Sequence, residues 1–146
     1  MSQEQQKALE SLYVERQLTE SNISLLQQRL EFSQVLLNSY RTGFMVLEEL
    51  EAKKKDEEML MNVGGGIFVP ARLVNPERIM RTLGSGIRIE QGLEEAKKGI
   101  ETAITSLENQ YKQLAEEHDK MVAHLNRVNA QMNQLVEAIQ GQSREG

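Results

Sequence analysis

The sequence lacks cysteine and tryptophan altogether and holds only two prolines among 146 residues. Without cysteine, neither a disulfide framework nor a zinc site built on thiolates is possible. Aromatic residues make up only 4% of the chain, while Gln, Glu, Leu and Lys abound. This profile is typical of long helices that pack along seams, and it disfavours a compact domain with an aromatic core.

The chain also lacks a basic surface and a long apolar run. Its 17 Lys and Arg are outnumbered by 22 Asp and Glu, which gives a net charge of −5. This balance argues against a protein that binds nucleic acid or anionic membrane through a basic face. No apolar stretch approaches the ~18 residues of a membrane span, and the first ten residues lack the apolar region of a signal peptide. We therefore expect a soluble, cytoplasmic protein.

Two long stretches without proline repeat their apolar residues every 3.5 positions, the spacing of a coiled coil. The first repeat comprises Leu9, Leu12, Arg16, Thr19, Ile23, Leu26, Leu30, Ser33, Leu37, Tyr40, Phe44 and Leu47. The second comprises Ile100, Ile104, Leu107, Tyr111, Leu114, His118, Met121, Leu125, Val128, Met132, Leu135 and Ile139. The pattern predicts helix 1 over about 3–55 and helix 2 over about 93–140, with a short tail at 141–146 and a single domain over 1–146.

The ends of these helices carry recognisable signals. Ser2 followed by Gln5 predicts a capping box at the start of helix 1, and Lys53–Lys55 would favour its negative end. Gly141 predicts the end of helix 2. Because the helices are similar in length, we expect the chain to fold back into an antiparallel coiled-coil hairpin. The numbers of facing residues would then sum to about 147.

The segment between the helices predicts two β-hairpins at about 58–90. Short strands at about 59–63 and 67–73 flank one glycine cluster, and strands at about 77–83 and 87–90 flank another. Val74-Asn75-Pro76 supplies the turn between the two hairpins. The clusters provide the positive φ of tight turns through Gly64, Gly65, Gly66, Gly84 and Gly86. The fold class is therefore mainly α, with two central β-hairpins.

These glycines do not form a nucleotide-binding motif. No Lys-Ser or Lys-Thr pair follows Gly66, and Ile89 stands where the dinucleotide fingerprint needs its third glycine. Both clusters also lead into strand-forming residues rather than a helix N-terminus. His118 and His124 are six residues apart, so a helix does not place them on one face as metal ligands. We expect no enzymatic activity, no cofactor and no metal.

Hairpins this short cannot bury their own apolar residues, and their edges offer unpaired backbone groups to other chains. We therefore expect the strands to join those of neighbouring subunits in a shared sheet or barrel. The residues predicted to form this assembly surface are Val63, Ile67, Val69, Leu73, Ile79, Leu83, Ile87 and Ile89.

At this point the sequence resembles a known family. A coiled coil, a Val-Gly-x-Gly-x-Phe-Val-x-Ala-x-Leu stretch, an Ile-x-x-x-Leu-Gly-x-Gly-Ile-x-Ile-Glu stretch and a second coiled coil are similar to the α-class subunit of prefoldin. The residues that carry the resemblance are Val63, Gly64, Gly66, Phe68, Val69, Ala71, Leu73, Ile79, Leu83, Gly84, Gly86, Ile87, Ile89 and Glu90. One departure is Pro70, which cannot donate to a sheet ladder and should therefore lie at an edge or bulge.

The resemblance implies a hexamer of two α-class and four β-class subunits, in which the hairpins join a double β-barrel. It also implies an ATP-independent chaperone (a holdase) that binds unfolded client proteins at coiled-coil tips and passes them to a group II chaperonin.

Client binding requires accessible, adaptable apolar surface, which methionine suits well. We expect contacts at the free end of the coiled coil and along an outward row on helix 1. This row comprises Leu18, Leu25, Phe32 and Val46, and a local phase shift that buries it is an equal alternative. The residues predicted to bind clients are Leu9, Leu12, Leu18, Leu25, Met121, Leu125, Val128, Met132, Leu135 and Ile139.

Two other functions compete with the chaperone hypothesis. One is a non-enzymatic coiled-coil scaffold or adaptor that merely oligomerises through its β-segment. The other is a regulatory module that binds a small ligand at its glycine turns.

Overall fold

The computed structural model describes residues 2–53 and 56–145, which form two long helices with two β-hairpins between them. Helix α1 spans Gln3–Ala52 and helix α2 spans Leu93–Glu145. The first hairpin pairs β1 (Met59–Gly64) with β2 (Ile67–Ala71), and the second pairs β3 (Ile79–Gly84) with β4 (Ile87–Gln91). This confirms the predicted fold class: mainly α, with two antiparallel hairpins.

The residues divide into two compact units, each of which contains a segment of both helices. Unit 1 comprises the described residues of Met1–Val35 and Asn109–Gly146, and unit 2 comprises those of Leu36–Glu108, including both hairpins. The expectation of a single domain remains a prediction.

Helix α1 begins with the predicted capping box. The Ser2 hydroxyl accepts a hydrogen bond from the Gln5 backbone N–H at 3.1 Å, and the Gln5 side-chain oxygen accepts one from the Ser2 N–H at 3.1 Å. Two backbone donors that the helix leaves unpaired are thereby satisfied. The helix ends at Ala52, and Lys53 just beyond it forms an ion pair with Glu57 at 3.8 Å. Lys54 and Lys55, also predicted to favour this end, lie outside the described residues.

Both hairpins turn on the predicted glycine clusters. Gly65 and Gly66 have φ angles of 61° and 76°, and the equivalent Ser85 and Gly86 have 51° and 76°. These positive values fit the two-residue turns that match strand twist. Each hairpin also carries a register shift just before its turn, between Asn62 and Gly64 in the first and Thr82 and Gly84 in the second.

The two hairpins are structural repeats displaced by 20 residues. Met59 pairs with Ala71 and Ile79 with Gln91, while Gly64 pairs with Ile67 and Gly84 with Ile87. The strand sequences share the glycines and the isoleucine after them, and four further pairs of positions are apolar in both hairpins: Met59 and Ile79, Leu60 and Met80, Val63 and Leu83, and Val69 and Ile89.

Two of the predicted strands prove shorter than expected. Strand β2 ends at Ala71 rather than Leu73, and β3 begins at Ile79 rather than Glu77. Asn75 explains the second difference, because its side-chain oxygen accepts a hydrogen bond from the Glu77 N–H at 2.9 Å and its backbone oxygen accepts one from Arg78 at 3.1 Å. A turn therefore uses the backbone groups that a longer strand would pair.

Helix α2 starts where the hairpin segment returns to the helices. The Leu93 N–H donates to the Pro76 carbonyl at 2.9 Å, and the Ala96 N–H donates to the Gly92 carbonyl at 2.9 Å. The Glu77 carboxylate lies against Gly92, where a side chain would overlap with it. A carboxylate at this end stabilises a helix by complementing its dipole.

The predicted end of helix 2 at Gly141 is wrong, because α2 continues to Glu145. Gly141 lacks the positive φ of a C-terminal stop, since the glycines with positive φ are those of the two hairpin turns. A glycine inside a helix costs only about 1 kcal/mol relative to alanine, which does not end a helix by itself.

In unit 1 the helical segments pack antiparallel along the predicted seam. Its buried residues are Thr19, Ile23, Leu26, Ser33 and Val128. The Thr19 hydroxyl donates to the Glu15 carbonyl at 2.8 Å, so the buried polar group is satisfied. The Gln5 side-chain amide donates a hydrogen bond to the Gln142 side-chain oxygen on the facing helix at 3.1 Å. These two residue numbers sum to 147, the predicted facing register.

In unit 2 the residues buried are Leu37, Leu47 and Ala96. Glu51 forms an ion pair with Lys97 at 2.9 Å, and Arg41 with Glu108 at 3.2 Å. The residue numbers of these two pairs sum to 148 and 149, close to the predicted 147, so the antiparallel register holds within this unit as well.

Arg81 joins the second hairpin to helix α2 at a glycine. Its guanidinium lies directly on Gly99, in the space that a Cβ would occupy. Arg81 and its cross-strand neighbour Ile89 are half-buried, whereas Thr82 and Arg88 on the opposite face are exposed. One face of the second hairpin therefore packs against α2. The absence of a side chain at Gly99 leaves space for the Arg81 guanidinium.

We expect Gly99→Ala to reveal this contact through a double-mutant cycle. In an Arg81→Met background the alanine should stabilise the chain by about 1 kcal/mol, the usual gain over glycine in a helix. In the native background the Cβ displaces the guanidinium, so the gain should shrink or reverse. Urea unfolding of the four variants measures the coupling, and additivity within about 0.3 kcal/mol would contradict the contact.

Candidate functional site

The first hairpin exposes apolar side chains on both of its faces. On one face Leu60 is 69% exposed and Phe68 56% exposed, beside Pro70. On the other face Met61 and Val69, which pair across the strands, are also exposed. An apolar surface of this kind on a two-stranded sheet is typical of an interaction site.

The solvent-exposed face of the second hairpin is more polar than the faces of the first hairpin. Only Met80 is a large apolar residue there, and its neighbours Thr82, Arg88 and Glu90 are polar. Arg78 donates to the Glu90 carboxylate at 2.8 Å, and this hydrogen bond raises the pKa of the arginine. The first hairpin therefore presents the larger apolar face.

The predicted assembly residues fall into two groups. Val63, Ile67, Val69, Leu83 and Ile87 are exposed in the chain, whereas Leu73, Ile79 and Ile89 are half-buried against it. Leu60 and Phe68 were not among the predicted assembly residues, which in the second predicted strand were the alternating Ile67, Val69 and Leu73. The structure leaves most of both faces of this hairpin exposed, with Met59 and Ala71 half-buried at the end away from the turn, and alternation alone cannot reveal this exposure.

The position of Pro70 agrees with its inability to donate to a sheet. It pairs with Leu60 in β2, which is one of only two strands in its sheet and therefore an edge strand. The register shift lies elsewhere, before the glycine turn.

Unit 1 contains an open apolar groove between the two helical segments. Its volume is about 660 Å³, and its lining residues are Leu9, Glu10, Tyr13, Val14, Met132 and Val136. Glu10 is the only charged residue in this lining. The Arg16 guanidinium lies 5.2 Å from the centre of the Tyr13 ring and helps to fix that ring beside the groove.

An outer row of apolar residues on α1 continues from this groove. Within unit 1 it comprises Val14, Leu18, Leu25 and Phe32, which are 54%, 61%, 48% and 70% exposed. The alternative of a phase shift that buries the predicted row is therefore wrong for this chain. Val46, the predicted member in unit 2, is also exposed.

The residues predicted to bind clients occupy different positions. Leu9 and Met132 line the groove, and Leu18 and Leu25 belong to the outer row. Half-buried positions along the seam are taken by Leu12, Met121, Leu125, Leu135 and Ile139.

Val128 is a correction, because it is only 2% exposed and cannot offer a client surface in this state. In the predicted register polar Thr19 faces Val128, and a polar residue would cover this apolar side chain poorly. Thr19 instead buries its hydroxyl by bonding to its own helix backbone, so its methyl group can pack in the seam. Tyr13, Val14 and Val136 were missed because they lie one or two positions away from the heptad seam.

The two histidines have different surroundings within unit 1. His124 Nε2 lies 2.9 Å from a Glu15 carboxylate oxygen on the facing helix. His118 is half-buried on the seam, and its Nε2 has no hydrogen-bond partner among the residues that the structure describes. Across residues 2–53 and 56–145 there is no group of three or more residues able to hold a metal ion.

Unit 2 contains a second cavity, of about 440 Å³, beside the end of α1. It is lined by Leu50, Glu51, Lys53, Glu57, Met59, Leu73, Val74, Pro76 and Leu93. The ion pair between Glu51 and Lys97 lies next to this cavity. The hydrogen bond from Lys97 to the Glu51 carboxylate raises the pKa of the lysine.

A search for membrane spans found no helix in the described part of the chain long and apolar enough to cross a bilayer.

Comparison of the sequence with known proteins identifies relatives along nearly all of its length. The family profile described as Prefoldin subunit matches residues 19–138. The prefoldin subunit alpha of Archaeoglobus fulgidus is 30% identical over 119 residues, which cover 82% of both chains. The prefoldin subunit alpha of Nitrosopumilus maritimus is 28% identical over 96% of this chain and 94% of its own.

Solved structures share the fold at lower identity. A filamentous prefoldin from Methanocaldococcus jannaschii superposes with a TM-score of 0.61 at 20% identity, over 78% of this chain and 94% of its own. The prefoldin β subunit of Thermococcus strain KS-1 gives a TM-score of 0.57 at 15% identity, over 87% and 90% of the two chains. With two helices, two hairpins and a family profile that spans most of its length, the chain belongs to the prefoldin family, and its sequence relatives are α subunits.

Proposed function

We propose that the chain is an α-class subunit of an ATP-independent chaperone that holds unfolded proteins. One observation carries the proposal: large apolar side chains remain exposed on the first hairpin and along the outer row of unit 1, although the helical segments of each unit already bury residues along their seam. A soluble chain rarely leaves such surfaces uncovered unless they bind something. Membership of the prefoldin family supports the chaperone role.

The hairpins are the surface that we assign to assembly. Each is a two-stranded sheet with two free edges, and the first exposes apolar residues on both of its faces. Strands from β-class subunits can pair with these edges and bury Leu60 and Phe68. The proposed product is a hexamer of two α-class and four β-class subunits, in which the hairpins complete a β-barrel and each chain contributes one domain.

Unit 1 is the surface that we assign to clients. Its groove and outer row combine aliphatic, aromatic and methionine side chains, which adapt to varied sequences. Each such side chain contributes about 1.5–3 kcal/mol when fully covered, so a few partial contacts give moderate affinity. Release then requires no nucleotide, and transfer to a group II chaperonin completes the proposed role.

The scaffold alternative explains the hairpins but not unit 1. A scaffold needs a closed coiled coil, whereas Tyr13, Val14 and Leu18 are each about half exposed or more. The ligand-binding alternative rested on the glycine turns, and the positive φ angles that the hairpins require already account for those glycines.

Suppression of aggregation tests the proposal. The chain, purified with a β-class partner, should keep a chemically denatured protein soluble at roughly stoichiometric ratios, with no dependence on ATP. Light scattering measures this effect, and the β-class partner alone serves as the control. Equal aggregation with and without the complex would contradict the proposed function.

A further inference from the structure

The outer row of unit 1 has the geometry of a second coiled-coil seam. At about 100° per residue, Val14, Leu18, Leu25 and Phe32 lie within about 40° of arc on α1. Leu18, Leu25 and Phe32 are seven residues apart, or about 10.5 Å per step along the helix. The inner seam of the same helix already packs on α2, with Ile23 and Leu26 buried. Helix α1 therefore carries two apolar stripes, of which only one has a partner.

The spacing of this row selects the conformation of its occupant. A helix places its own apolar residues at the same interval, so each can pack between two members of the row. An extended segment advances about 3.3 Å per residue and alternates its side chains, so it does not maintain contact at this interval. The regular step of seven thus favours a helical occupant.

The polar residues beside the row indicate which kind of helix it accepts. Partner choice in coiled coils depends on charged residues that flank the seam. From Gln17 to Gln28 the only charged residue is Glu20, and it is paired with Arg16 at 4.0 Å on the same helix. The residues next to the row in this stretch are Gln17, Ser21, Asn22 and Gln28, which are exposed and uncharged. Beside Leu18 and Leu25 no unpaired charge is therefore available to select one dedicated partner, and further along the exposed Arg29 before Phe32 flanks the row.

We propose that the outer row binds a client as an amphipathic helix, which packs on α1 as a third strand of the coiled coil. This inference rests on the proposed function and specifies its substrate class: segments whose apolar residues repeat at helical spacing, irrespective of their charged residues. Clients would then bind through nascent helices, while the groove at Tyr13 and Val14 accepts the end of the same segment.

Two peptides of identical composition test the inference. One has leucines at heptad spacing, and the other has the same residues rearranged to alternate as in a strand. With the chain in complex with its β-class partner, we expect the heptad peptide to bind at least about tenfold more tightly by fluorescence anisotropy, a ratio equivalent to 1.4 kcal/mol. Its helical content, measured by isotope-edited infrared spectroscopy, should rise on binding.

The variant Leu18→Gln, Leu25→Gln, Phe32→Gln should lose this preference. Its sites are all exposed, so its melting temperature should match that of the native chain, and Met45→Gln, an exposed site off the row on the same helix in unit 2, serves as the matched control. Equal binding of both peptides, or an unchanged preference in the triple variant, would overturn the inference. If neither peptide binds but the complex still suppresses aggregation, the inference fails and the proposed function stands; if suppression is absent too, both fail.

Discussion

Replacing Leu60 and Phe68 by glutamate is expected to abolish assembly with a β-class partner. Both side chains are more than half exposed in the chain and lie on the same face of the first hairpin. Their burial at an interface would contribute about 3–6 kcal/mol together, and two carboxylates would add a desolvation cost. The affinity should therefore fall by about a hundredfold to ten-thousandfold.

Sedimentation velocity of the mixed subunits measures this loss. Met45→Glu is the matched control, because Met45 is 62% exposed in the same unit but lies on α1 rather than on a hairpin. The control should assemble like the native chain. Full assembly of the hairpin variant would show that the exposed face of β1 and β2 is not the contact.

Removal of residues 1–12 and 126–146 is expected to eliminate most of the aggregation suppression while the assembly keeps its stoichiometry. The deletion takes away Leu9, Met132 and Val136 from the groove and deprives the start of the outer row of its supporting helix. The hairpins belong to the other unit, so their contacts should persist. Light scattering and native mass spectrometry of one sample compare the two properties.

Full suppression by the shortened chain would place client binding elsewhere. Failure to assemble would mean that the helix ends contribute to the oligomer. Deletion of 141–146 alone is the control, because that segment lies beyond the groove residues and should leave both properties unchanged.

The helices and their seam could be predicted from the sequence because one physical rule dominates them. A repeat of 3.5 residues determines which side chains face the partner helix, and every predicted seam position is buried or half-buried in the structure. Even polar Thr19 and Ser33 are buried as the repeat requires. The capping box at Ser2 was predictable for the same reason, since it depends on residues only three positions apart.

The exposed surfaces could be predicted less well. The pattern within one helix or strand does not show whether another element of the chain covers its face. Alternation in β2 indicates which residues share a face, but not whether a helix covers that face. In the second hairpin Arg81 packs on Gly99 of α2, whereas the first hairpin has no comparable contact within the described part of the chain. Val128 and Tyr13 show the same limit in the helices. One is buried and the other exposed, although the sequence favoured only Val128 as a client contact.

The native mass of the chain, alone and with a β-class partner, tests the account most directly. We expect the mixed sample to give one species with two copies of this chain and four of the partner, and the chain alone to give a different and smaller stoichiometry or a heterogeneous population. A stable monomer whose mass is unaltered by the partner would contradict the claim that the exposed hairpins require other subunits to cover them.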